Sequence, residues 1–321
     1  MKRIALVAAL AAAYAAPAFA QSNVTIYGRL NVSVERQKAG GESLTGMVDN
    51  ASRIGFRGTE DLGGGLKALF MLEHGFNADT GTNQGAMWGR GSWVGLEGGF
   101  GRLRLGNILS GTYFATADYI SMHNHDTGNS SDALYAYVMR DTNKISYTTP
   151  SLGGLTAELQ YSLKETTTGG DNAWELAANY QAGPLHLGGG YVKFGEDKLF
   201  VIRALYEMGA FTFGGYYERD DFDGDKRNNF RLAGMYTMGA SEFHLNFGLA
   251  GDVGDLDDSG AKQFTLGYNY NLSKRTKLYA FYTRINNENN AAYAPARLQG
   301  NLSIGNGQNF SSFAVGVRHN F

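Results

Sequence analysis

The 321-residue chain has no cysteine, which excludes a disulfide framework, and its 45 glycines, 4 prolines and 19 each of tyrosine and phenylalanine indicate a β protein. Lysine plus arginine number 28 against 30 aspartate plus glutamate, a net charge of −2 with no basic stripe, which argues against a nucleic-acid partner. No run reaches about 18 consecutive apolar residues, so no transmembrane helix is expected.

Residues 1–20 read as a signal peptide. Lys2 and Arg3 give a positive start, Ile4 to Ala16 is apolar but too short to span a bilayer, and Ala18-Phe19-Ala20 is a small-x-small cleavage site. A mature chain over 21–321 is expected. Without Lys2 and Arg3 its balance is 26 basic to 30 acidic residues.

From residue 24 the chain alternates. Val24, Ile26, Leu30, Val32 and Val34 share one face of the first strand, and Thr25, Tyr27, Arg29, Asn31 and Ser33 share the other. Successive strand residues point to opposite faces, so this strand has an apolar wall and a polar wall. The pattern returns in Leu155–Leu163, Phe243–Leu249 and Phe264–Leu272. Short turns stand at 62–65, 98–101, 150–154, 183–184, 209–210, 239–240 and 273–275, rich in the Gly and Pro that turns require. Longer polar connections are read at 37–50, 77–86, 107–140, 164–172, 195–197, 220–226, 252–260 and 286–308, of which only 195–197 is short.

These connections join sixteen strands: 24–36, 51–61, 66–76, 87–97, 102–107, 141–149, 155–163, 173–182, 185–194, 198–208, 211–219, 227–238, 241–251, 262–272, 276–285 and 310–321. An even number of strands of roughly ten residues, with short turns alternating with long loops, describes a 16-stranded antiparallel transmembrane β-barrel. Its apolar face meets lipid, its polar face lines water, its short turns are periplasmic and its long loops are external. A two-sheet sandwich has no need to keep one end of every hairpin short. Two strands are irregular. Leu66–Glu73 is apolar on both faces, which implies a covering on its inner side or a subunit contact, and 276–285 leaves its outward face open.

The longest interruption, Asn107 to Asp141, holds Tyr113, Asp118, Tyr119, His123, His125, Asp126, Asp132 and Arg140. A loop of that length inside a compact domain tends to be functional, and it is expected to fold into the barrel and narrow it. At the other end of the chain, Phe313, Val315, Val317, His319 and Phe321 share one face. A last strand ending in Phe resembles the assembly signal of outer-membrane barrels, which implies the barrel-assembly machinery as a partner.

Ile26-Tyr27-Gly28-Arg29, Ser52-Arg53-Ile54-Gly55-Phe56-Arg57-Gly58-Thr59-Glu60-Asp61-Leu62-Gly63 and Trp93-Val94-Gly95-Leu96-Glu97-Gly98-Gly99-Phe100-Gly101, with Ile145-Ser146-Tyr147 before Pro150, carry a resemblance to the general diffusion porins of Gram-negative bacteria. The chain is most similar to the β-proteobacterial trimeric branch, over the whole of the mature sequence. The resemblance implies a homotrimer in the outer membrane, contact with outer-membrane lipid and lipopolysaccharide, a third long loop folded into each lumen, and passive passage of ions and small hydrophilic solutes.

Alternation turns Arg29, Arg53, Arg57, Arg90, Arg102, Arg104, Arg140 and Lys144 to the lumen along one arc of consecutive strands. Guanidinium groups stay charged at every relevant pH. By local motif Arg29, Arg53, Arg90 and Arg140 resemble the family's constriction arginines, with Arg57, Arg102, Arg104 and Lys144 as a second tier. Asp118 and Asp126 are expected on the acidic side, with Asp132 next. The Pro-Glu-Phe start of better-known porin loops is absent. Several arginines against few loop acids predict mild anion preference.

Other signals are weaker. His123-x-His125-Asp126 offers metal-ligand types without a fourth ligand. Asp221-x-Asp223-Gly224-Asp225 resembles the start of a calcium loop, but Leu232 stands where the bidentate Glu belongs. No cofactor is expected beyond divalent cations shared with lipopolysaccharide at acidic outer loops, Asp220–Asp225 and Asp252–Asp258. A barrel enzyme needs an activated nucleophile. His74, His186, His244 and His319 lie on separate strands with no nucleophile motif. A substrate-specific channel calls for aromatic tracks in the lumen, and a soluble secreted β domain is the remaining alternative.

Overall fold

The structure, a computed structural model, describes residues 23–122, 133–138 and 141–321. The expected signal peptide lies outside the described residues.

Among the described residues eighteen strands are present: β1 (Asn23–Ala39), β2 (Glu42–Asp49), β3 (Arg53–Gly63), β4 (Leu66–Asn77), β5 (Thr82–Asn83), β6 (Gly91–Gly98), β7 (Gly101–Asn107), β8 (Lys144–Thr148) and β9 (Leu155–Ser162), then β10 (Ala173–Ala182), β11 (Leu185–Phe194), β12 (Asp197–Met208), β13 (Phe211–Phe222), β14 (Asp225–Met238), β15 (Ser241–Ala250), β16 (Ala261–Asn271), β17 (Thr276–Asn287) and β18 (Phe310–Asn320). The wall has sixteen. β5 pairs only with the end of β4, inside a loop. β2 and β3 are successive halves of one strand that pairs along β1, from Ala39↔Glu42 to Val32↔Asp49 and from Arg29↔Arg53 to Asn23↔Thr59. Asn50, Ala51 and Ser52 bulge between the halves. Asn31 closes the gap by accepting from the Asn50 N–H (2.8 Å) and donating its own N–H to Ser52 Oγ (3.0 Å). β18 pairs with β1 and closes the cylinder. The terminal Phe321 exchanges two backbone hydrogen bonds with Gly28, each 3.1 Å.

Two expected outer loops are tight hairpins instead. Residues 37–50 turn at Gly40-Gly41, and 220–226 turn at Asp223-Gly224, with positive φ at all four positions. Gln37, Lys38, Glu42 and Ser43 hide these extensions, because beyond the bilayer both strand faces meet polar surroundings and the apolar alternation that marks a strand is lost. The ambiguous strand β17 turns Leu278 and Tyr282 outward and buries Tyr279 and Phe281 inside, their rings stacked at 6.4 Å. The double-faced β4 turns Met71 into the lumen.

Outward faces are apolar, and their aromatics cluster near the short turns. Tyr206–Phe213, Phe211–Tyr236 and Phe243–Tyr268 pair at 5.8, 4.7 and 5.2 Å, an interfacial girdle. The inner face is largely polar, with its largest apolar patch on β11–β14. There Val192, Leu199, Val201, Leu205, Tyr216 and Ala233 form an apolar patch, and the third long loop covers it through Ala117, Ile120, Ala136 and Val138. A second apolar cluster joins Leu134 of that loop to Leu302 of the last long loop and to Ile285 and Phe310 of the wall. Both loops therefore pack inside the barrel and leave the lumen open on the opposite arc.

Candidate pore constriction

The third loop enters the barrel as two short helices, α1 (Gly111–Ala115) and α2 (Ala117–Ile120). Wall glycines make room for them. A Cβ on Gly190 would stand 2.4 Å from Thr112 Oγ1, and one on Gly214 would stand 2.8 Å from Ile120 Cδ1.

Buried polar groups on the wall satisfy the loop backbone. Glu175, fully buried on β10, accepts the Ser110 hydroxyl (2.7 Å) and the Gly111 N–H (2.6 Å). Lys144 Nζ stands 4.0 Å from Glu175 and bonds Asp141 Oδ1 (3.2 Å) and Gln160 Oε1 (2.6 Å). Arg203 donates to the Ala115 carbonyl (2.9 Å), and its guanidinium lies 3.7 Å from the centroid of the Tyr119 ring. The Tyr119 hydroxyl meets His186 Nδ1 at 2.7 Å. On the return, Glu218 accepts the Ala136 N–H at 2.9 Å. Tyr137 donates to Asp141 (3.1 Å). Burying such charges costs desolvation, which hydrogen bonds to the covering loop and to neighbouring strands offset.

A cavity of about 1150 Å³ remains between loop and wall. Arg29, Arg53, Arg90 and Arg104 line it, together with Arg318 of β18. Asp118 of α2 lines it from the loop side and acts electrostatically on both Arg29 and Arg53. The wall also carries carboxylates. Glu73 accepts from Arg90 (2.8 Å) and from the Tyr27 hydroxyl (2.9 Å) and lies 4.0 Å from Arg53. Glu158 pairs with Arg104. Arg29 Nε donates to Asn320 Oδ1 at 3.0 Å, and Arg318 Nε is buried with no hydrogen-bond partner among the described residues. Among the described residues the lining holds five guanidinium groups against the carboxylates of Glu73, Asp118, Asp141 and Glu158, a small cationic excess.

Three sequence candidates stand elsewhere. Lys144 is buried at the foot of the loop, bonded to Asp141 and Gln160 of the lining but not on the lining itself. Arg57 lies over the Tyr27 ring at 4.9 Å, and Arg102 pairs with Glu97 at 2.7 Å near a short turn; neither lines the cavity. Arg140, Asp126, Asp132, His123 and His125 lie outside the described residues. Asp221, Asp223 and Asp225 belong to a strand end and its two-residue turn, not a calcium loop. Among the described residues, no three His, Cys, Asp or Glu side chains gather as a metal site.

The alternation that points Arg29 inward also points Glu73, Glu158, Glu175, Glu218 and Arg318 inward. What it lacks is any sign of which loop atoms they meet. The loop also brings Tyr113, Phe114, Tyr119, Tyr135 and Tyr137 to the cavity, facing Trp93 and Met71 of the wall. The lumen is therefore more aromatic than its strand faces imply.

Comparison with known proteins agrees with this geometry. The model of the Gram-negative porin family matches residues 5–290. The chain is 34% identical to outer membrane porin protein 32 of Delftia acidovorans over the full length of both, and 29% identical to the major outer membrane protein P.IB of Neisseria meningitidis serogroup A, covering 82% of this chain and 87% of that one. The structure of the anion-selective porin from Comamonas acidovorans superposes with a TM-score of 0.76 at 30% identity, covering 94% of this chain and all of the other.

Proposed function

The chain belongs to the Gram-negative porin family, and from that premise we propose a diffusion channel with mild anion preference set by the arginine arc. The protein is an outer-membrane channel and not an enzyme. In the proposed reading, ions and small hydrophilic solutes pass between the loop helices and Arg29, Arg53, Arg90, Arg104 and Arg318, with Arg140 at the loop's end. The observation that carries it is the excess of guanidinium over carboxylate groups on the cavity lining. Fixed charges at a constriction tune ion selectivity. The anion selectivity named for the Comamonas relative supports the same sign. The proposal extends to a homotrimer, cleavage of residues 1–20, divalent cations shared between acidic outer loops and lipopolysaccharide, and Phe321 as the signal read by the barrel-assembly machinery.

The test is single-channel recording in a planar bilayer under a salt gradient. The reversal potential is expected on the anion side, with conductance steps in threes. Replacing Arg53, Arg90 and Arg140 together by Ser should abolish the preference. Strong cation preference in the natural protein would reject the reading.

A second reading, a substrate-specific channel, is favoured by the aromatic lining, above all Phe114 and Tyr119. It requires a current that saturates with an aromatic anion, where the first requires an ohmic one.

A further inference from the structure

The helix α2 carries two side chains of the cavity lining, Asp118 and Tyr119. Its polar attachment to the wall runs through Tyr119. The phenol hydroxyl lies 2.7 Å from His186 Nδ1 of β11, and the two rings meet edge to face at 5.8 Å. His186 is buried, and its Nε2 has no hydrogen-bond partner among the described residues. Register sets Gly188 opposite Arg203 and His186 opposite Leu205, so His186 and Arg203 are diagonal neighbours on the inner face. A Cβ on Gly188 would overlap Arg203 Nη2 and the Ala115 carbonyl oxygen. With only glycine there, the guanidinium crosses the strand, donates to that carbonyl and to Asn179 Oδ1 (2.7 Å), and covers the Tyr119 ring.

Among the described residues no carboxylate pairs with His186 or Arg203. Asp118, one residue before Tyr119, acts on Arg29 and Arg53 instead. On β12 the next acid is Glu207, exposed at the short turn. On β13 it is Glu218, which is engaged by Ala136 and Asn229. From β10 comes the neutral Asn179.

Histidine is the side chain whose ordinary change of charge falls between about pH 5 and 8. Neutral imidazole can accept the phenol hydrogen on Nδ1. Imidazolium carries hydrogen on both nitrogens, has no lone pair, and can only donate. When His186 takes a proton from water, the Tyr119 hydroxyl loses its acceptor. A second cation then stands beside Arg203, and no facing carboxylate offsets the repulsion.

We propose that His186 is a positioning residue that latches the third loop in a pH-dependent way. Neutral, it holds Tyr119 and α2 against the wall; protonated, it releases them, and Asp118 leaves its place opposite Arg29 and Arg53. The latch rests on the channel itself and not on its anion preference, which the reversal potential tests separately.

The test is single-channel recording of the full-length mature protein at about pH 8 and about pH 5, with the frequency of brief closures as the readout. In the natural protein closures should be at least about fivefold more frequent at the acid pH, the low end of usual coupling between two sites. H186Q should close equally often at both, because an amide oxygen accepts the phenol hydrogen and takes up no proton in this range. Y119F, which loses only the hydroxyl, should close often at both. A thermal unfolding midpoint in detergent establishes that each variant is folded. Equal closure frequency at the two pH values in the natural protein would overturn the proposal. So would a Y119F channel as quiet as the natural one at pH 8. Undiminished pH dependence in H186Q would also overturn it and assign the effect to the lining carboxylates Glu73, Asp118, Asp141 and Glu158.

Discussion

Glu175 Oε1 accepts the Gly111 N–H at 2.6 Å, tying the first turn of the third loop to the middle of β10. The same carboxylate holds the Ser110 hydroxyl and faces Lys144 at 4.0 Å. Glu175→Ala should therefore leave a buried ammonium short of its counter-charge and free two loop donors. A loss of about 3 kcal/mol is expected. The measurements are a lower unfolding midpoint in detergent and noisier open-channel current. A quiet, fully stable variant would mean that the loop is held without this carboxylate.

Gly190 is the seat of Thr112. Gly190→Val should push α1 away from the wall into the lumen, because its Cβ alone would come within 2.4 Å of Thr112 Oγ1. Single-channel conductance should fall, and the second change Thr112→Gly should restore part of it. Equal conductance in Gly190→Val and the natural protein would place the loop's resting position elsewhere.

Glu73 is shared by Arg90 and, at 4.0 Å, Arg53. Glu73→Gln should raise anion preference, since both guanidinium groups keep their charge while losing a neighbouring negative one. Its cost in stability is about 1–3 kcal/mol, from the lost charge-assisted hydrogen bonds of Arg90 and Tyr27. The reversal potential under a salt gradient reports the first effect and thermal unfolding the second.

Arg318 differs from the paired arginines of the lining. Its Nε has no hydrogen-bond partner among the described residues, so Arg318→Ser should change stability by no more than about 0.5 kcal/mol. Anion preference should nonetheless decrease. Arg104→Ser should decrease it further, because Glu158 then stands uncompensated at the cavity.

Selectivity that comes from fixed charge must also depend on salt. Screening acts over about 10 Å at 0.1 M and about 3 Å at 1 M ionic strength. Anion preference should therefore be clear in dilute gradients and shrink in concentrated ones. A preference independent of salt would point to steric exclusion.

The sequence by itself determined the barrel. A period of two needs only neighbouring residues to be seen, and lipid on one side with water on the other writes it into nearly every strand. Val24 to Val34 and Phe243 to Leu249 state which face is which, and the same rule turned Arg29, Arg53 and Arg104 inward. Where the surroundings are polar on both sides, at Gln37 to Ser43, that rule fell silent and a hairpin was read as a loop. Tertiary structure alone decided how the third loop lies. Glu175, Glu218 and Arg203 meet it from strands 64 to 88 residues distant in sequence, and no local pattern records such pairings. It also decided which inward charges reach the pore. Lys144 obeys the same alternation as Arg104, yet the loop base covers Lys144 and leaves Arg104 facing the lumen. A strand fixes the face of each side chain; only the segments packed against that face fix what it touches.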